Sequence, residues 1–253
     1  MTDPRGGEPG RSPLARFALL ALVGLAVAGL TALGIWQLER RVWKLDLIAR
    51  VDARVHAAPI APLGPADWPA ISTAKDEYVR VRLTGRFLND RETLVQALTD
   101  LGPGFWVLTP LKTDQGFLVL VNRGFVPPER RAAALHGPVS GETSVTGLLR
   151  ISEPKGRFLR PNEPAAERWY SRDVAAIAAA RGLADVAPYF VDAEAGTDPK
   201  AWPRGGLTVL SFPNNHLIYA LTWFSLALLL AGITLYNVRE EWRGRREAAK
   251  TGS

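Results

Sequence analysis

FALLALVGLAVAGLTALGIWQL, residues Phe17 to Leu38, and LIYALTWFSLALLLAGITLYNV, residues Leu217 to Val238, are two long apolar segments near opposite ends of a 253-residue chain. Each is about the 20 residues that an α-helix needs to cross a bilayer. The sequence therefore predicts a membrane protein, a two-helix transmembrane hairpin with one large domain in its loop. Ala26-Val27-Ala28 resembles a signal-peptide cleavage site, but the apolar run continues to Leu38, which favours an uncleaved anchor.

The basic residues next to the second span indicate the orientation. Five of them follow that span, whereas residues 205–215 before it contain no Lys or Arg. Cytoplasmic flanks carry the excess of Lys and Arg, so the tail belongs in the cytoplasm and the central domain outside it. Acidic Asp3 and Glu8 are unlike a mitochondrial transit peptide, which favours a bacterial inner membrane, with the domain in the periplasm.

These arguments predict five segments. They are a cytoplasmic tail (1–16), a first transmembrane helix (17–38), a periplasmic α+β domain that begins with a helical stalk (39–216), a second transmembrane helix (217–238) and a basic cytoplasmic tail (239–253). Trp36, Arg40, Trp43 and Leu47 recur at helical spacing and predict that the stalk continues through Arg50.

Charge and cysteine content exclude several classes of function. The formal net charge is +6, but Lys and Arg are dispersed along the chain, so we expect the lipid bilayer as a partner and no nucleic acid. The chain has no cysteine, which excludes disulfides, thiolate catalysis and Cys-based metal sites. No HExxH or GxSxG motif occurs, and we expect no enzymatic activity.

The central domain shows the alternation typical of strands. A mainly antiparallel sheet or partly closed barrel with one or two helices is predicted. The predicted strands are 78–84, 92–97, 105–112, 117–122, 144–150, 189–192 and 207–212. Residues 172–181 predict one helix, because they are rich in alanine and Gly182 follows as a terminator.

His216, Tyr219 and Trp223 fall within about 60° of one another on a helix, so they share a face that descends about 10 Å from the membrane interface. Histidine is the commonest protein ligand of haem iron, and an apolar slot below it would hold a porphyrin. His216 is therefore the candidate metal ligand. A simpler interpretation stays open, in which Tyr219 and Trp223 are interfacial aromatics and His216 helps to begin a helix.

Trp36 and Arg40 share a face of the first helix, with Gln37 beside them. Because the two spans are antiparallel, these residues are expected at the level of His216. Arginine binds carboxylates through paired hydrogen bonds, which suits haem propionates. The alternative is that Trp36 and Arg40 only anchor the helix at the interface.

Several segments together resemble the Surfeit locus protein family of cytochrome c oxidase assembly factors. Those segments are 33–40 with Trp43-Lys44, 81–87, 109–111, 120–127, 147–150 and 215–224. They include both spans and most of the domain. Phe125 stands where the family commonly has Trp, so a hydrogen bond from an indole is not expected there.

The resemblance implies a role in building subunit I of the oxidase, in particular in the supply or insertion of haem a, with haem a synthase as a further partner. It also makes His216 the favoured ligand, with Trp36 and Trp223 packing the ring and Arg40 meeting a propionate. The alternative function is a cofactor-free, membrane-tethered scaffold that holds an oxidase assembly intermediate.

Overall fold

The computed structural model describes residues 12–134, 141–157, 160–210 and 212–251. The chain divides into a hairpin unit, Met1–Ala49 with Phe212–Ser253, and a barrel unit, Arg50–Ser211. The helices are α1 (Pro13–His56), α2 (Thr73–Asp76), α3 (Arg131–Ala134), α4 (Val174–Arg181) and α5 (His216–Thr251). The strands are β1 (Arg80–Phe87), β2 (Thr93–Thr99), β3 (Gly102–Thr113), β4 (Leu118–Val126), β5 (Glu142–Ile151) and β6 (Val186–Ala193).

The hairpin unit consists of α1 and α5, both long and apolar enough to cross a membrane. They pack antiparallel through small residues, since Gly34 is buried and Ala220 and Ala227 are 1% and 5% exposed. Small side chains let two helix backbones approach closely, so that van der Waals packing can hold the helices together without a hydrophobic driving force. The α1 helix continues to His56, beyond the predicted end of the stalk at Arg50.

The barrel unit is a six-stranded sheet in the order β1-β5-β6-β4-β3-β2. An additional antiparallel pairing of β1 with β3, at Gly85↔Thr113, closes five of the strands into a barrel, and β2 lies outside the closure. The predicted, mainly antiparallel sheet is confirmed, with one parallel pair, β4 with β6. The barrel is closed rather than partly closed.

Strand β4 shows why this sequence forms a barrel with a covered wall. Val119 and Val121 point into one core cluster, inside the barrel, and Leu120 points into a second cluster beneath α4. Both faces of β4 are buried, which explains its continuous apolar run. The α4 helix begins at the side-chain cap of Asp173 and ends at Gly182, whose φ is +63°, as predicted.

The predicted strand at 207–212 is wrong, because residues 207–210 and 212 have no strand structure. The chain forms instead an irregular strap, residues 204–208. The backbone of Arg204 pairs with that of Phe125 through two 2.9 Å hydrogen bonds, and the Gly206 amide donates to the Ala193 carbonyl at 2.9 Å. Gly206 has a φ of +71°, which turns the backbone away from an extended course despite the alternating side chains.

Candidate functional site

A polar pair marks the end of the hairpin where α5 begins. His216 Nδ1 lies 2.7 Å from Oε1 of Gln37. An amide oxygen only accepts hydrogen bonds, so Nδ1 donates to Gln37, and in the neutral imidazole Nε2 then keeps its lone pair. A histidine that ligates a metal usually donates its second ring N–H in this way, which fixes the tautomer and the ring orientation.

Helical phase places Trp36 and Arg40 on one flank of the hairpin. Gly34 meets Phe224 on the other flank, where a Cβ on Gly34 would lie 2.5 Å from a ring carbon of Phe224. Gly34 lies about 60° to one side of Gln37 around the helix. Trp36 and Arg40 lie about 100° and 60° to the opposite side.

The same contact fixes the flank of Tyr219 and Trp223. Phe224 lies about 80° to one side of His216 around α5, and Tyr219 and Trp223 lie about 60° and 20° to the other side. Both are therefore on the flank opposite the Gly34 contact, together with Trp36. The fold thus brings the residues predicted from the sequence to one flank, at one end of the hairpin.

The side chains of this flank are accessible. Trp36 and Tyr219 are 53% and 54% exposed, and Trp223 and His216 are half-buried. The Arg40 guanidinium lies 3.9 Å from the centre of the Trp43 ring. Within the described part of the chain Arg40 forms no ion pair, so its charge is not neutralised by a neighbouring carboxylate.

The described residues at this site supply only part of the coordination that a metal ion needs. Among the described residues there is no group of three or more His, Cys, Asp or Glu that could hold a metal ion. A metal bound at Nε2 of His216 therefore needs most of its ligands from elsewhere, as iron has in a porphyrin. An aromatic, apolar flank beside the histidine fits the face of such a ring.

The barrel unit has a second polar cluster, centred on Asp192. This carboxylate is 5% exposed and accepts from Arg150 Nη1 at 2.8 Å and Arg172 Nη1 at 3.1 Å. Asn122 Nδ2 and Thr208 Oγ1 donate to it at 2.7 and 3.0 Å. Both carboxylate oxygens are saturated, so the cluster acts as an internal brace rather than as an open site.

Further acids complete the pairing of the two arginines. Arg150 Nε donates to Glu77 at 2.7 Å, and Arg172 donates to Glu153. Burial would lower the pKa of Arg150, but the charges of Asp192 and Glu77 raise it above its ordinary value. The adjoining cavity of 150 Å³ is therefore lined by Arg150, Arg172 and Asp192, whose charges are neutralised by ion pairs.

Gly124, which lies inside β4, has a structural role. Gly124 has a φ of +131°, and a Cβ there would lie 2.2 Å from the Arg204 carbonyl carbon. Arg123 is held 3.4 Å from Glu92 and lies over the Phe87 ring. Phe125 is fully buried, with its ring edge-on to Trp106 at a centroid distance of 6.0 Å, so it contributes to packing.

Two features of the structure could not be predicted from the sequence. The hydrogen bond from His216 to Gln37 depends on how α1 and α5 are aligned along each other, although the sequence places Gln37 beside Trp36. The Asp192 cluster unites residues from β4, β5, β6 and the strap, and its only local signal is a charge at the end of an apolar strand. Of the other histidines, His56 is exposed at the end of α1, and His136 lies outside the described residues.

Comparison with known proteins gives one consistent result. Residues 24–228 match the SURF1 family. The chain is 36% identical to Surfeit locus protein 1 of Rattus norvegicus over 215 residues, which are 77% of this chain and 67% of the relative. It is 35% identical to Surfeit locus protein 1 of Homo sapiens, over 83% and 73% of the two chains. A SURF1-like protein of Monosiga brevicollis is 36% identical over 82% and 83%.

Proposed function

This chain belongs to the SURF1 family, whose members are generally cytochrome oxidase assembly factors, and we propose that it carries haem a to subunit I of cytochrome c oxidase during assembly. Haem a is the cargo in this proposal rather than a resident cofactor. The protein performs no reaction of its own on the haem. It receives the haem near haem a synthase and releases it into the subunit.

The observation that carries the proposal is the hydrogen bond between His216 and Gln37. It leaves Nε2 of His216 as the ligating atom and holds the imidazole ring in place. Trp36 and Trp223 supply apolar ring surface on the same flank. Arg40 has no carboxylate partner among the described residues, and a haem propionate would provide one.

A carrier must also release its cargo, and one protein ligand suits this need. Two strong axial ligands would oppose transfer, whereas a single histidine leaves the other axial position of the iron open to exchange. The exposure of Trp36 and Tyr219 is in keeping with a flank that a recipient protein approaches. Weak, exchangeable binding is therefore expected.

The proposal includes a location. Both long helices cross the bacterial inner membrane, with the basic tail after Val238 in the cytoplasm and the barrel unit in the periplasm. The length and composition of α1 and α5 support the crossing, and the clustered arginines after the second span support the orientation. The His216 site then lies at the periplasmic end of the hairpin.

The test is a visible spectrum of the full-length protein purified from cells that also express the haem a synthesis enzymes. We expect a bound haem a spectrum that is lost, or shifted with much lower occupancy, in His216→Ala. His56→Ala is the matched control, because His56 is exposed and lies in a different unit. Full occupancy with an unchanged spectrum in His216→Ala would refute the ligand.

A second outcome would favour the scaffold function. If the purified protein is colourless and still co-purifies with subunit I, the barrel unit holds the assembly intermediate without cargo. The saturated Asp192 cluster makes that unit a braced domain, as a docking surface requires. Loss of co-purification together with loss of colour in His216→Ala would instead tie partner binding to haem.

A further inference from the structure

The end of the hairpin unit away from His216 contains a large cavity between α1 and α5. Its volume is 670 Å³. Leu20 and Val23 belong to its apolar part, and Arg16, Asn237 and Arg245 to its polar part. Because Arg16 directly precedes the first apolar segment and Arg245 follows the second, the polar part lies at the end of both spans, with the apolar part further along them.

Arg16 is incompletely satisfied inside this cavity. Its Nε is buried without a hydrogen-bond partner. Its Nη1 lies 3.6 Å from Glu241 Oε2, which is an ion-pair distance but longer than a good hydrogen bond. A buried, unsatisfied donor on a charged group is costly, so this guanidinium calls for an acceptor that the described protein atoms do not supply.

The surrounding charges leave room for an anion. Glu240 accepts a hydrogen bond from Arg243 at 3.2 Å and is therefore partly neutralised. Arg245 lines the cavity and forms no ion pair with another described residue. The lining therefore contains two arginines, Arg16 and Arg245, and two carboxylates. Because Arg243, outside the lining, pairs with Glu240, only Glu241 remains to balance the two lining arginines.

We propose that this cavity binds an anionic phospholipid of the cytoplasmic leaflet. Its phosphate accepts from Arg16 and Arg245, and an acyl chain lies along Leu20 and Val23. A free phosphate would satisfy the arginines but leave the apolar part of the cavity unfilled, whereas a phospholipid fills both. The cytoplasmic leaflet carries anionic lipids that basic residues at a span's end attract. This inference rests on the membrane placement proposed above and not on haem binding.

The test is native mass spectrometry of the full-length protein released from nanodiscs that contain equal amounts of phosphatidylglycerol and phosphatidylcholine. We expect about tenfold preferential retention of one phosphatidylglycerol. The double variant Arg16→Gln, Arg245→Gln should lose this preference. The matched control Arg239→Gln, Arg246→Gln removes the same charge from the same end but does not touch the cavity, and should keep it.

A second variant protects the test against misfolding. Leu20→Trp fills the apolar part and leaves every charge in place, so it should also reduce retention. Equal retention of both lipids, equal loss in the cavity and control variants, or displacement of the lipid by inorganic phosphate alone would overturn the site. Release of the protein from membranes by alkaline carbonate would instead overturn the membrane placement.

Discussion

The Asp192 cluster of the barrel unit and two polar residues of the hairpin unit, His216 and Arg16, differ in how fully their hydrogen bonds are satisfied. In the barrel, Asp192 has four side-chain donors, and both its oxygens are used. In the hairpin, His216 uses one ring nitrogen, and Arg16 retains a buried donor without a partner. Saturated polar groups stabilise a fold, whereas groups with spare capacity are able to bind something else. This difference agrees with the function proposed above, in which the hairpin binds the haem and the Asp192 cluster braces the barrel.

The largest expected effect is on the stability of the barrel. Asp192→Ala leaves Arg150 and Arg172 buried without their shared anion, and should lower the free energy of unfolding by about 3–5 kcal/mol. Guanidinium unfolding of the full-length protein in micelles, followed by tryptophan fluorescence, measures it. Asp198→Ala, at an exposed position, should stay within about 0.5 kcal/mol. A similar small loss at Asp192 would show that the cluster does not brace the barrel.

Gly124 in β4 tests the same rigidity through the backbone. Gly124→Ala introduces a Cβ 2.2 Å from the Arg204 carbonyl carbon at a φ of +131°, and should cost about 3 kcal/mol. Gly116→Ala has a similar φ of +94° but meets no atom within 4 Å, so it should cost about 1 kcal/mol. Equal costs in the two variants, measured by the same unfolding, would mean that the clash with the strap has no effect.

The hairpin is tested by the partner of His216. Gln37→Leu removes the acceptor of the Nδ1 proton and should weaken haem binding by about tenfold to a hundredfold, measured by absorbance titration of the full-length protein. Gln37→Glu keeps an acceptor oxygen and should restore most of the affinity. Barrel unfolding should be unchanged in both variants. If Gln37→Leu binds haem with the original affinity, the hydrogen bond does not support the ligand.

The smallest expected effect is a pH dependence of the barrel. Burial would raise the pKa of Glu153, but the hydrogen bonds and charge of Arg172 lower it below its ordinary value. At a pH below about 4.5, the unfolded chain therefore binds more protons at Glu153 than the folded protein does. The free energy of unfolding thus falls as the pH falls through this range.

Because Glu153 is 39% exposed, its pair should contribute only about 0.5 kcal/mol. Urea unfolding at pH 7 and pH 4 should show a smaller decrease in Glu153→Gln than in the unaltered protein. The exposed Glu142→Gln serves as control. An identical decrease in the unaltered protein and Glu153→Gln would exclude this ion pair as a source of the pH dependence.

The sequence predicted the individual strands better than the closure of the strands into a barrel. Alternation located β1 to β6, because the side chains of each strand face two different environments. It failed at 207–210, where Gly205 and Gly206 turn a strand-like pattern into a strap that pairs irregularly with distant backbone. Barrel closure depends on β1 meeting β3, a contact that no local pattern records.

For the candidate site, the sequence was sufficient to predict that its aromatic residues share one flank of the hairpin. Two antiparallel spans and a period of 3.6 residues bring Trp36 to the side of Tyr219 and Trp223. The register that joins Gln37 to His216 depends on the close packing of Gly34 and Phe224, which are far apart in the chain. Such pairings follow from shape, which a single sequence does not reveal.

The strap has a consequence for the order of events during synthesis. Thr208 completes the donors of Asp192, and Gly206 binds the end of β6, so the barrel reaches its final bonding only when the ribosome has passed residue 208. The next helix begins at His216, after a short connection. The last hydrogen bonds of the barrel unit therefore involve residues that are synthesised only shortly before the second long helix.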